Sequence, residues 1–244
     1  MSNQTRWPEA IEGRIPTKNH TGFMFLEING ASPAFIQHVQ RCTDPILDLG
    51  CAYGVVTLPA LEQSHCPVIA FDLAQEHLDI LHASVSQYEA KRLTVKQGHF
   101  PDDFNFADNS LAAIHSSYMF HFLNGTETEQ GLHKCLQALK PGGKIYINTA
   151  SVYFKPFKDV LVPYEKNAAR GAQWPGEIFN LKEHIPVQDI AYVPDFLHVH
   201  KLEDFERILT NTGFTVDKIF YYDVHEPAWF ASDGKGLIGV IATK

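Results

Sequence analysis

Several things are scarce or missing in this sequence, and each narrows its reading. There is no run of lysines and arginines, and acidic residues outnumber basic ones 28 to 20, for a formal charge of −8. Broad recognition of a phosphate backbone needs clustered cations, so nucleic acid is a poor partner and an anionic membrane surface no better. No apolar stretch approaches the roughly 20 residues of a membrane span. Met1 to Glu12 is polar and lacks the apolar segment of a secretory leader, which points to the cytoplasm. Only four cysteines occur, Cys42, Cys51, Cys66 and Cys135, and no two make a C-x-x-C pair. That excludes a zinc ribbon or a thioredoxin motif and leaves four reduced thiols. The G-x-G-x-x-G fingerprint of dinucleotide binders is missing, as are internal repeats and low-complexity tracts.

What is present is an ordinary globular composition, 45% hydrophobic and 20% charged over 244 residues. That length suits one large α/β domain or one domain with an insertion. Residues 1–20, with Pro8 and Pro16, read as a polar, loosely ordered lead-in, and a helix is expected from Ser32 with Pro33 in its first turn. Ile46-Leu47-Asp48-Leu49 reads as a buried strand, and Pro67 to Asp72 as a second. A helix with Leu78, Leu81, Val85 and Tyr88 on one face follows the second strand. Leu93–Gln97 and Ser110–Ser116 are the third and fourth strands. The next helix is expected to start on a Thr126/Glu129 capping box, carry Leu132, Cys135, Leu136 and Leu139 inward, and stop at Pro141-Gly142-Gly143. Lys144–Thr149 is a fifth strand. A helix at Leu202–Thr212, ended by Gly213, leads to strands at Phe214–Val224 and Leu237–Thr243. With no helix between them, the last two strands must form an antiparallel hairpin. The expected fold is therefore a doubly wound α/β sheet of seven mostly parallel strands with an antiparallel C-terminal hairpin.

Ligands of such sheets sit beyond the carboxyl ends of the strands. There the turn Gly50-Cys51-Ala52-Tyr53-Gly54 lets a ligand approach the backbone and opens a helix N-terminus, which favours a carboxylate. Asp72, ending the second strand, suits a ribose diol. The stretch Ile46 to Gly54 resembles the hallmark motif of class I S-adenosylmethionine-dependent methyltransferases. Ser110 to Ser117 is similar to their fourth-strand motif, Leu139 to Ile145 to their fifth-strand lead-in, and Thr212-Gly213-Phe214 to the lead-in of the sixth strand. This resemblance, over about residues 44–150 and 200–244, implies a Rossmann-like methyltransferase fold, a methyl transferase activity, and S-adenosylmethionine as cofactor, released as S-adenosylhomocysteine. It implies that Asp48, Gly50, Cys51, Ala52 and Gly54 embrace the methionine portion, that Asp72 binds the ribose, and that Leu73 packs on the adenine. Gly98, His99 and Phe100 would flank the adenine, and Ser116 and Ser117 would lie near the sulfonium. The pattern departs from the family at Ala52, where a glycine is usual, and at His99 and Ala112, where acids are common.

Tyr118 and His121 follow the fourth strand, where this family often meets its acceptor, and are the candidate catalytic side chains; a histidine there could take a proton from a nucleophile. His198 and His200 have metal-ligand spacing without an evident third ligand, so no metal is expected. The segment 150–200 interrupts the α/β rhythm with aromatics and prolines. It reads as a small satellite core, as a cap over an apolar acceptor pocket, or as both, with the N-terminal segment 1–43 as its counterpart. A small-molecule acceptor is expected, and a homodimer is open. A nicotinamide-dependent oxidoreductase and a non-catalytic relative that binds through the same fold are the competing readings.

Overall fold

The computed structural model describes residues 7–157, 159–185 and 187–244. Residues 1–6 of the expected lead-in and Pro186 of the expected cap lie outside the described residues. Where a loosely ordered lead-in is expected, Arg14 and Ile15 are buried in a short antiparallel hairpin, β1 (Arg14–Pro16) and β2 (Phe23–Phe25), and helix α1 (Ser32–Val39) follows. Strands and helices alternate through β3 (Ile46–Leu49), α2 (Thr57–Gln63), β4 (Val68–Asp72), α3 (Gln75–Ser84) and β5 (Leu93–Gln97). Next come β6 (Leu111–Ser117), α4 (Gly125–Ala138) and β7 (Leu139–Ala150). The interrupting segment holds α5 (Leu161–Ala169) and the paired β8 (Glu177–Ile178) and β9 (Leu197–His198). Helix α6 (Leu202–Thr212), β10 (Thr215–Tyr222) and β11 (Leu237–Thr243) close the chain.

Seven strands form one sheet in the order β10-β11-β7-β6-β3-β4-β5. The pairs from β7 to β5 are parallel, and β11 runs antiparallel to both of its neighbours. All four residues of β3 are buried, as a central parallel strand covered on both faces requires. One core cluster joins Leu47, Leu49 and Ile114 to Leu132 and Phe205, and a second joins Ile46, Val68 and Ala113 to Phe35 and Val39. The chain leaves β3 toward β4 on one side, while β6 adds on the other. That is the topological switch point, where a crevice opens at the strand ends.

Local chemistry accounts for the element ends, including those that differ from expectation. The capping box of α4 is Asn124/Glu127 rather than Thr126/Glu129: Asn124 Oδ1 accepts from Glu127 N at 2.9 Å and Glu127 Oε2 from Asn124 N at 2.8 Å. Asparagine is the stronger N-cap, so the helix begins earlier. Helix α4 passes straight into β7, because Leu139 is already extended, and Pro141-Gly142-Gly143 sits within the strand. The turn survives as an irregularity there: pairing jumps from Leu111↔Leu139 to Ala113↔Lys144. Helix α3 ends at Ser84; Val85 is extended yet still packs against the cluster of Leu78 and Leu81, whereas Tyr88 faces solvent at 67% exposure and leaves the apolar face. Gly213, at φ 110, ends α6 as expected.

Candidate active site

The turn after β3 is built from left-handed residues. Gly50, Ala52 and Gly54 have φ values of 72°, 45° and 89°. The Gly50 and Cys51 N–H groups both donate to Phe71 O, at 2.8 and 3.2 Å, which folds the turn against the end of β4. A Cβ on Gly50 would come within 2.8 Å of Met119 Cβ, and one on Gly54 within 2.3 Å of the Leu81 side chain. Ala52 carries a methyl in a conformation that costs an L-residue roughly 1–2 kcal/mol. What holds it there is Asp72, whose Oδ2 accepts from Ala52 N at 2.8 Å.

Asp72 is buried and serves three donors: Ala52 N, Ala74 N at 2.9 Å and His77 Nδ1 at 2.9 Å. A carboxylate offers about four acceptor positions, so about one is left for a ligand hydroxyl. Asp48 lies directly beside His115 in the β3–β6 register. Its Oδ1 accepts from His115 Nδ1 at 2.7 Å and its Oδ2 from Thr57 Oγ1 at 2.5 Å. With Nδ1 donating, His115 Nε2 accepts from Ser32 Oγ at 2.8 Å. Ser32 Oγ in turn accepts from Asn148 Nδ2 at 2.8 Å, and the same nitrogen donates to Ser117 Oγ at 3.0 Å. This buried chain ties α1, β3, β6 and β7 together at the switch point. The N-terminal segment is tied to the turn as well. Tyr53 Oη donates to Pro16 O and accepts from Lys18 N, both at 3.0 Å, and Trp7 Nε1 donates to Tyr53 O at 2.8 Å.

These elements enclose a cavity of about 290 Å³. Of the residues singled out in the sequence, Asp48, Gly50, Cys51, Ala52, Asp72, Leu73, Gly98, His99, Phe100, Ser117 and Tyr118 line it. Leu73 is an exposed apolar side chain beside Asp72, at 48% exposure. Gly54 and Ser116 stand off this wall: Gly54 makes room for Leu81, and Ser116 Oγ is buried without a partner among the described residues. His121 lines a second, smaller cavity of about 70 Å³, which shares Phe23, Phe25, Tyr118 and Phe122 with the first.

Tyr118 stands between the two cavities at φ 60, an outlier for a bulky residue of the kind that clusters at functional sites. Its hydroxyl donates to Asn29 Oδ1 at 2.8 Å and lies 3.1 Å from Tyr222 Oη. Burial raises its pKa far above the usual tyrosine range, so it stays protonated. Burial also pushes His121 down to about 3, and its Nδ1 has no partner among the described residues. It is neutral at any ordinary pH and a weak base. His198 and His200 are buried with ring centroids 4.1 Å apart, and among the described residues no group of three or more side chains could hold a metal ion. Sequence reasoning missed His115, Ser32, Asn148, Arg14 and Asp189. His115 alone has a sequence signal, its place within the fourth-strand motif Ser110 to Ser117.

A cavity at the switch point, walled by a left-handed turn and a strand-end aspartate, defines a nucleotide-type ligand site on a doubly wound sheet. Comparison with known proteins narrows this class. A family model described as "Methyltransferase domain" matches residues 46–143. A structure described as an S-adenosylmethionine dependent methyltransferase from Mesorhizobium loti has a TM-score of 0.63 at 17% identity, over 89% of this chain and all of that one. "Uncharacterized protein YafE" of Escherichia coli (strain K12) is 26% identical over 98 residues, 40% of this chain and 46% of that protein. A carboxy-S-adenosyl-L-methionine synthase of Escherichia coli O17:K52:H18 is 27% identical over 107 residues, 42% of each chain. The chain thus spans less than half the length of these two curated relatives. Residues 46–143 thus match a methyltransferase-domain model, and the fold around them is that of class I S-adenosylmethionine-dependent methyltransferases.

Proposed function

We propose that this protein transfers a methyl group from S-adenosylmethionine to a small-molecule acceptor. The observation that carries the reading is the continuity of the site. One wall runs from the turn at Gly50 through Asp72 and Leu73, and the opposite end meets a second, largely aromatic cavity at Tyr118 and Phe122. The residues present fit the cofactor. Asp72 keeps an acceptor position for a ribose hydroxyl, Leu73 offers an apolar face to the adenine beside His99 and Phe100, and the turn leads into the N-terminus of α2. Bound there, S-adenosylmethionine supplies an electrophilic methyl group on a sulfonium.

The protein's own part is then alignment and exclusion of water. The Asp48–His115–Ser32–Asn148 chain fixes the turn and Ser117 relative to one another. The hairpin of β1 and β2 and the segment 150–200 cover the aromatic side as a lid, and that segment also has a satellite core of its own around Val160, Tyr164, Leu181 and Leu197. Tyr118 and His121 shape the acceptor side rather than remove a proton, because one is held protonated and the other is too weak a base. The acceptor therefore arrives ionised or attacks through a lone pair.

Thermal unfolding with S-adenosylhomocysteine tests the cofactor assignment. A ligand at 100 times its Kd contributes about 2.7 kcal/mol. For a chain of this size that raises Tm by about 5–10 °C. NAD at the same concentration is expected to leave Tm unchanged; a shift with NAD alone would replace this reading with the oxidoreductase one.

A further inference from the structure

The smaller cavity contains a charged pair that methyl transfer does not call for. Arg14 and Asp189 line it, and both are buried, at 4% and 7% exposure. The pairing is end-on: one terminal nitrogen of Arg14 donates to Asp189 Oδ2 and the other to Oδ1, each at 3.2 Å. The guanidinium lies over the Phe23 ring at 4.2 Å and the Phe230 ring at 4.8 Å. Burying such a pair among aromatic rings gains little stability over well-packed apolar side chains, so stability alone does not account for it.

A guanidinium has two edges that can each grip a carboxylate: the end-on edge of its two terminal nitrogens, and the side-on edge formed by Nε–H with its neighbouring terminal N–H. Asp189 takes the first. A terminal nitrogen of Arg14 also lies 3.8 Å from the Glu12 carboxylate, too far for a hydrogen bond, whereas Arg14 Nε has no partner among the described residues, and neither has the buried Nδ1 of His121, a second residue that lines this cavity. Buried polar atoms are nearly always satisfied, and two orphans on residues that line one cavity call for a ligand that partners both, an acceptor where His121 carries its proton on Nδ1. The rest of the lining is largely aromatic and aliphatic, including Phe25, Phe122 and Phe157.

We infer that this cavity is the acceptor subsite and that it takes a small apolar molecule bearing a carboxylate, held on the side-on edge of Arg14 with His121 Nδ1–H as a second donor. The inference rests on the reading of the larger cavity as the cofactor site. It makes Arg14 a specificity-determining residue, with Asp189 as the carboxylate that already shares its charge.

Isothermal titration of the full chain, saturated with S-adenosylhomocysteine, tests this with two matched sets: benzoate, benzamide and benzylamine, and hexanoate, hexanamide and hexylamine. In at least one set the acid is expected to bind ten-fold or more tightly than its amide, with the amine weakest. Arg14→Lys keeps a cation for Asp189 but loses the side-on edge, and should abolish the preference for acid over amide. Asp189→Asn removes the competing carboxylate and should tighten acid binding several-fold, the opposite of what loss of a merely structural ion pair would do; it also serves if Arg14→Lys does not fold. Acids that bind no better than their amides in both sets, absence of binding included, overturn the inference, as does a preference for the amines. Failure of the wild-type chain to bind S-adenosylhomocysteine would instead sink the cofactor reading beneath it.

Discussion

Asp72 holds the turn and is proposed to bind the ribose, and replacing it separates the two roles. The carboxylate is 6% exposed and accepts from Ala52 N, Ala74 N and His77 Nδ1. Asp72→Ala strands the two backbone N–H groups, and a buried donor left unsatisfied costs about 1–3 kcal/mol. The sum, about 2–6 kcal/mol, is a large share of the 5–15 kcal/mol by which a typical domain is stable. Asp72→Asn is the sharper probe: it keeps one acceptor oxygen, loses the charge, and is expected to cost about 1–3 kcal/mol in urea unfolding. Its effect on the cofactor is a separate quantity. One hydrogen bond to a charged acceptor contributes about 1.5–3 kcal/mol, so the Kd for S-adenosylhomocysteine should rise about 10- to 150-fold. Calorimetry on the folded variant reads this directly. A variant that is destabilised as expected but binds with unchanged Kd would show that Asp72 only clamps Ala52 and Ala74, and would refute its ribose role.

Two other perturbations address the turn and the buried histidines. Ala52→Gly relieves a left-handed alanine, worth roughly 1–2 kcal/mol, against the roughly 0.5–1 kcal/mol by which glycine loosens the unfolded chain. A gain of about 0.5–1 kcal/mol in urea unfolding is expected, and a loss would mean that the Ala52 methyl group contributes packing that outweighs its strain. His121, His198 and His200 are all held neutral by burial, the first at about 3 and the second at about 4. Their folded values lie below the ordinary 6.5, so the unfolded chain binds protons first. The stability that depends on them is full above pH 6.5 and falls as pH drops toward 4 and 3. Each contributes a slope of about 1 kcal/mol per pH unit between pH 6 and 5. His121→Phe should flatten the slope of unfolding free energy by that amount; an unchanged slope would place the His121 ring in water.

Much of the fold is legible from hydrophobic runs and their punctuation. The buried run at Ile46–Leu49, Gly213 and the passage from β10 to β11 without an intervening α-helix identify the sheet and its antiparallel end. The site is only half legible, because its wall is made by register and by distant contacts. Asp48 meets His115 because β3 and β6 pair in one particular register, which neither strand announces alone. Arg14 meets Asp189 across 175 positions, between a three-residue strand and a short 3-10 helix (Val187–Tyr192), both too short to announce themselves by periodicity. Ala52 looks like a mild departure from a glycine motif, yet only backbone geometry shows that it keeps the left-handed shape with help from Asp72. Asn124 outcompetes Thr126 as a cap because the loop before α4 places its side chain over Glu127 N.

The central claim is that the crevice at the switch point binds S-adenosylmethionine along the turn at Gly50. A crystal structure of the full chain grown with S-adenosylhomocysteine tests it most directly. The ribose hydroxyls should fall on Asp72, the adenine against Leu73 and His99, and the sulfur should face the cavity shared by Tyr118 and Phe122. A ligand bound elsewhere, or a crevice that stays empty at a saturating concentration, would contradict the account.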